Sequence, residues 1–180
     1  MTRNEFEIKY TQYYETLFRI AYSYVKNSWD ADDVVQDVFV KLYLTRKTFK
    51  TEDNEKYYLI RLVINRSIDY IRHSKNHNLS LDNEYINNLP DTSDADNRKN
   101  EEIYECVCLL KDSYKTIIIL YYYENYNLKE IASILKITQD NAKVRLNRAR
   151  EQLKKLINER RWNNEKRWFK RIINYEYTWS

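Results

Sequence analysis

A chain of 180 residues with no glycine and a single proline, Pro90, has few ways to turn sharply. The tight turns of β-hairpins place residues at φ > 0, which glycine adopts freely and other L-residues at about 1–2 kcal/mol each. A sheet of hairpins would meet that penalty at every turn. The sequence therefore predicts an all-α fold, with asparagine, which takes left-handed positions at modest strain, closing the few turns required.

Helical periodicity runs through the first 75 residues. Leu17, Ala21, Tyr24 and Val25 form one apolar stripe, and Ala31, Val34, Val35, Val38, Phe39 and Leu42 form a second. A third passes through Leu59, Leu62, Val63, Ile68 and Ile71. From His77 to Asn100 the period is lost, and the stretch reads as a linker. Between Leu79 and Glu105 eight acids face two bases, a net charge of −6. The expected organisation is a helical domain over 1–76, an acidic linker over 77–100, a second helical domain over 101–160 and a basic aromatic tail over 161–180.

The net charge of +4 is too small to identify a partner, but its distribution is uneven. From Asn141 to Arg161 eight bases stand against two acids. At about 100° per residue, Leu146, Ala149 and Leu153 fall within about 40° of Ala142 and make one inward stripe. Asp140, Asn141, Val144, Asn147 and Arg148 occupy the opposite arc, with Lys143 and Arg145 on its flanks. A short apolar helix, "LKEIASIL", precedes it with Leu128, Ile131, Ala132 and Leu135 inward. Thr138 is the expected N-cap of the basic helix. This is the layout of a helix-turn-helix, whose second helix reads base edges in the major groove while flanking cations hold phosphates. Lys136 stands in a turn where many such motifs carry glycine, so strain is expected there.

Two sets of residues, in order and divided by the linker, resemble the extracytoplasmic-function group of the sigma-70 family of bacterial RNA polymerase sigma factors. "LKEIASILKIT" and "AKVRLNRAREQL" resemble the C-terminal motif, with Ala142 in place of valine. "DADDVVQDVFVKLY" resembles the helix that docks on polymerase, and "YLIRLVINRSIDYIR" the helix that reads the promoter element nearer the start site. The latter matches at Leu59, Asn65, Asp69 and Arg72, while Tyr58 replaces the usual tryptophan. The resemblance covers about Phe6 to Leu156.

It implies a promoter-specificity subunit that directs core polymerase to promoters and initiates transcription. Asp33, Gln36, Asp37 and Val40 would meet the clamp helices of the polymerase's largest subunit. Phe49, Tyr57, Arg61, Asn65 and Arg66 would contact the melted −10 element, where stripped bases stack on aromatic rings. Tyr58 is expected in the core. Thr138, Asn141, Lys143, Val144, Arg145, Asn147 and Arg148 would contact the −35 element. The linker, up to about 80 Å long at about 3.3 Å per residue, would span the two elements. An anti-sigma factor is a further candidate partner.

Other chemistries find little support. Without glycine there is no phosphate-cradling loop and no nucleophile elbow, so no enzyme, cofactor or small-molecule substrate is expected. Cys106 and Cys108 lack metal-ligand spacing, and His73 and His77, four apart, have no third ligand candidate at a recognisable spacing. No apolar run approaches a membrane span, which predicts a cytoplasmic protein. The alternative reading is a stand-alone helix-turn-helix regulator that binds duplex DNA without polymerase; a third is an adaptor that binds polymerase but no promoter.

Overall fold

The structure, a computed structural model, describes residues 2–45, 47–77 and 103–159. The tail and all but His77 of the expected linker lie outside the described residues. Among the described residues every regular element is a helix.

Helix α1 (Arg3–Val25) starts in a reciprocal cap: the Glu5 N–H donates to Thr2 Oγ1 and the Thr2 N–H donates to the Glu5 carboxylate. That pairing satisfies two of the donors a helix start leaves unpaired. Lys26, at φ 63°, ends the helix, its N–H donating to the Tyr22 carbonyl at 3.0 Å. Asn27 follows at once, its Oδ1 accepting from the N–H groups of Trp29 and Asp30 at 2.8 and 3.4 Å. A two-residue connection thus closes α1 and opens α2 (Ser28–Thr45). Helix α3 (Glu52–His77) begins after Thr51, whose hydroxyl accepts from the Asn54 N–H at 3.2 Å, and carries three acids in its first turn, where the helix dipole favours them.

These three helices pack against one another. Tyr13, Leu17, Ile20, Ala21 and Tyr24 of α1 meet the expected α2 stripe, all six members of which are buried. Phe39 takes Phe6 edge-on at 6.0 Å and Tyr10 at 4.8 Å between ring centroids. Helix α3 departs from expectation: Leu59, Ile60, Val63, Ile64 and Ser67 are buried, while Leu62, Ile68 and Ile71 are only half-buried. Its stripe is rotated because α1 and α2 flank it on two sides and enclose more than the narrow arc the apolar letters mark. Lys9 pairs with the buried Glu55 carboxylate, tying α1 to α3.

The described chain falls into two compact units. One holds α1–α3 with Lys129–Thr138; the other holds the described residues 103–128 and 139–159. The second contains a short helix α4 at 103–108 and α5 (Asp112–Ile118), which continues as a π-turn over Ile119–Tyr123. Its core takes Cys106, Val107 and Ile117–Leu120, and α5 packs on the long helix α7 (Gln139–Glu159).

Helix α6 (Leu128–Leu135) buries Ile131, Ala132 and Ile134, leaving Leu128 and Leu135 half-buried. The expected stripe was therefore off by one position at its end. A three-residue turn separates α6 from α7. Lys136 sits in it at φ 55°, and the Ile137 N–H donates to the Ala132 carbonyl at 3.0 Å. This is the helix ending that glycine fits best. Lys136→Gly is therefore expected to stabilise the chain by about 0.5–1 kcal/mol, the left-handed strain it removes exceeding the freedom it adds to the unfolded chain. Urea denaturation would measure it.

Candidate docking and nucleic-acid surfaces

Helix α2 carries four acids, and its packing sorts them. Asp30 accepts from Tyr70 Oη of α3 at 2.7 Å, and Asp32 accepts from Tyr14 Oη of α1. The hydrogen bond to each acid, with burial behind it, pushes both tyrosines up from 10.0 to about 12. Asp37 accepts from Nε of Arg66 at 2.8 Å and also from Nη2 of the same guanidinium. Asp33 and Gln36 are exposed and make no hydrogen bond or ion pair among the described residues. Val40 is exposed beside them, at 55%. The helix thus presents a polar face with an apolar knob opposite its buried stripe. Asp37 and Arg66, which the sequence assigned to different partners, are each other's partner here.

Around the start of α3, aromatics and cations gather. Phe49 lies 5.2 Å from the Tyr58 ring, the Lys47 ammonium stands 4.1 Å from the Tyr58 centroid, and the Arg61 guanidinium is 5.8 Å from it. Tyr58, expected in the core, is instead half-buried. A tyrosine in place of the larger indole leaves its ring between the loop and solvent, where the cations stack on it. Within this unit Tyr57 Oη donates to Glu130 at 3.4 Å and Arg61 Nη1 to the Ile134 carbonyl at 3.3 Å. Asn65 and Arg66 are exposed one helical turn further on.

The rotation of α7 follows the sequence closely. Ala142, Leu146, Ala149 and Leu153 are buried, whereas Asp140, Asn141, Lys143, Val144, Asn147 and Arg148 are exposed and Arg145 is half-buried. The helix starts at Gln139, one residue after the exposed Thr138. An exposed apolar Val144, flanked by amides and cations, has the makeup of a surface that meets thymine methyls and base edges together. Arg150 is different: its Nε donates to Tyr122 Oη at 2.8 Å, and its guanidinium lies 5.7 Å from the Tyr121 and Tyr122 rings. It braces α7 to the π-turn. No signal in the letters "ILYYY" announced that turn, which brings the tyrosine pair to Arg150.

Three packed helices with an acidic outer face, and a basic reading helix after a tight turn, define a two-part DNA-binding transcription factor. The sequence comparisons narrow that class. Sigma-70 region 2 matches residues 10–77 and sigma-70 region 4 matches residues 100–153. The RNA polymerase sigma factor SigV of Bacillus subtilis is 33% identical over 139 residues, covering 77% of this chain and 82% of its own. The ECF RNA polymerase sigma factor SigM of the same organism is 29% identical, covering 83% and 93%. Among solved structures, the sigma factor RpoE of Bartonella quintana, in complex with the anti-sigma factor NepR, shares the fold at a TM-score of 0.64 and 19% identity, covering 86% of this chain and 97% of its own.

The chain belongs to the sigma-70 family of RNA polymerase sigma factors, in its extracytoplasmic-function group. It directs core polymerase to specific promoters and initiates transcription. Its partners are core RNA polymerase and promoter DNA. The stand-alone regulator is not favoured, because the matches span both sigma regions. Sigma factors are non-catalytic regulators of initiation. Among the described residues no helix is long and apolar enough to cross a membrane.

Proposed function

We propose that the work is divided by surface. Asp33, Gln36, Asp37 and Val40 of α2 dock on the clamp helices of the polymerase's largest subunit. Phe49, Tyr57, Arg61, Asn65 and Arg66 serve the melted −10 element. Thr138, Asn141, Lys143, Val144, Arg145, Asn147 and Arg148 serve the −35 element, and the acidic linker spans the two. The observation that supports this reading best is α7: opposite its buried stripe the exposed arc is strongly cationic and carries the apolar Val144, where the solvated face of a bundle helix would balance its charges and stay polar.

The chain itself carries no catalytic step; bond formation belongs to polymerase, in the cytoplasm. The complex of the fold neighbour RpoE with the anti-sigma factor NepR supports an anti-sigma factor as a further partner. The direct test is transcription in vitro with purified core polymerase. The full chain is expected to drive specific initiation from a cognate promoter and to bind the free duplex only weakly, since one helix-turn-helix contacts few phosphates. Tight, salt-resistant binding of the free chain to an inverted repeat would refute the reading.

A further inference from the structure

The exposed face of α2 is longer than its acidic centre. Trp29, in the first turn, is 80% exposed, and Tyr43, near the other end, is 51% exposed. Trp29, Asp33, Gln36, Val40 and Tyr43 are spaced alternately by four and three residues, the 3.5-residue repeat of a coiled-coil seam. At about 100° per residue they lie within about 40° of one line, opposite the buried stripe of the same helix. The seam runs about 21 Å at 1.5 Å per residue. Asp37 falls to its side, where Arg66 already holds it. Tyr43 meets Phe6 of α1 edge-on at 6.1 Å between ring centroids, and among the described residues no helix faces the rest of the seam.

We infer that Trp29 is the principal apolar anchor of the polymerase-docking face, and that the seam from Trp29 to Tyr43 receives one helix of core polymerase. The inference rests on the docking role proposed for Asp33 and Gln36, and the continuity of Trp29 with that face selects polymerase as the occupant. The complementary helix presents apolar side chains opposite Trp29 and Val40, with amide or cationic donors opposite Asp33 and Gln36. An indole fully desolvated at such a seam is the kind of residue that dominates an interface, while the acids beside it set register. The backbone supports it: the Asn27 side chain caps the Trp29 N–H at 2.8 Å, so the ring projects from a fixed first turn.

The test compares Trp29→Ala, Trp29→Phe, Lys41→Ala and Asp33→Lys in the full chain, measuring affinity for core polymerase and the melting temperature of each free protein. Trp29→Ala is expected to weaken core binding at least tenfold with an unchanged melting temperature, Trp29→Phe to retain part of the affinity, and Lys41→Ala, an exposed off-seam control, to match the parent. If Asp33→Lys abolishes binding while Trp29→Ala binds as the parent does, the anchor is refuted and the docking face stands. If neither variant loses affinity, the docking face fails and the anchor with it. Sedimentation of the free chain distinguishes the remaining occupant: a dimer that Trp29→Ala converts to monomer would assign the seam to a second copy and overturn the inference.

Discussion

Asp33→Lys is expected to reduce affinity for core polymerase at least tenfold while leaving unfolding of the free chain unchanged. Asp33 is exposed and its side chain makes no hydrogen bond or ion pair among the described residues; its charge acts on the Tyr70 hydroxyl, which is neutral at physiological pH, so reversing it breaks no bond in the fold. In a docked complex the same change puts a cation where the partner expects an acid, and close charge pairs at interfaces carry about 1.5–7 kcal/mol of coupling. Asp37→Lys should behave differently. It breaks the pair with Arg66 and sets two cations side by side; at half-exposed positions that loss is about 0–1 kcal/mol of stability. Part of any docking defect in that variant would then come from a displaced Arg66. Binding to core, measured beside thermal melting for both variants, separates an acid that touches polymerase from one that touches α3. Equal affinities for Asp33→Lys and the parent would remove α2 from the docking interface.

Much of this was legible in the letters, and the reasons it was are physical. The absence of glycine restricted the fold to helices, but of the three described residues at positive φ that end helices only Asn125 is the asparagine expected there; Lys26 and Lys136 are lysines. The inward stripe of α7 could be read because its alternatives are Lys, Arg and Asn, which leave little choice about what faces a core. In α3 the same method erred, since Leu62 and Ile64 sit on either side of Val63 and the letters do not say which flank the neighbouring helices cover; Ile64 is buried and Leu62 is not. The Asp37–Arg66 pair was invisible for a related cause: a contact between residues 29 apart depends on how α2 crosses α3. Trp29 was passed over because it precedes the motif that drew notice to α2, and only its exposure gives it meaning.

On α7 the expected result divides by contact type. Arg148→Ala should lower affinity of the holoenzyme for promoters by about 1–3 kcal/mol at one position of the upstream element, with variants at that position no longer distinguished. Lys143→Ala should weaken binding to all promoter sequences alike and reduce the salt slope by about one unit, because the counterion released with a phosphate contact is no longer released. The assignment rests on position. Arg148 and Asn141 lie on the outward arc, opposite the buried Ala142, Leu146 and Ala149, while Lys143 lies on its flank, where the proposed docking would bring the backbone of an entering duplex. Neither substitution removes a buried atom, so both proteins should melt as the parent does. Arg150→Ala provides the contrast, since it breaks the brace to Tyr122 and should act through stability. A promoter series varied one base at a time, titrated at several salt concentrations, reads both quantities. A base preference lost in Lys143→Ala and kept in Arg148→Ala would mean that the helix enters the groove rotated from this arc; no change in either would give the basic face to a ligand other than DNA.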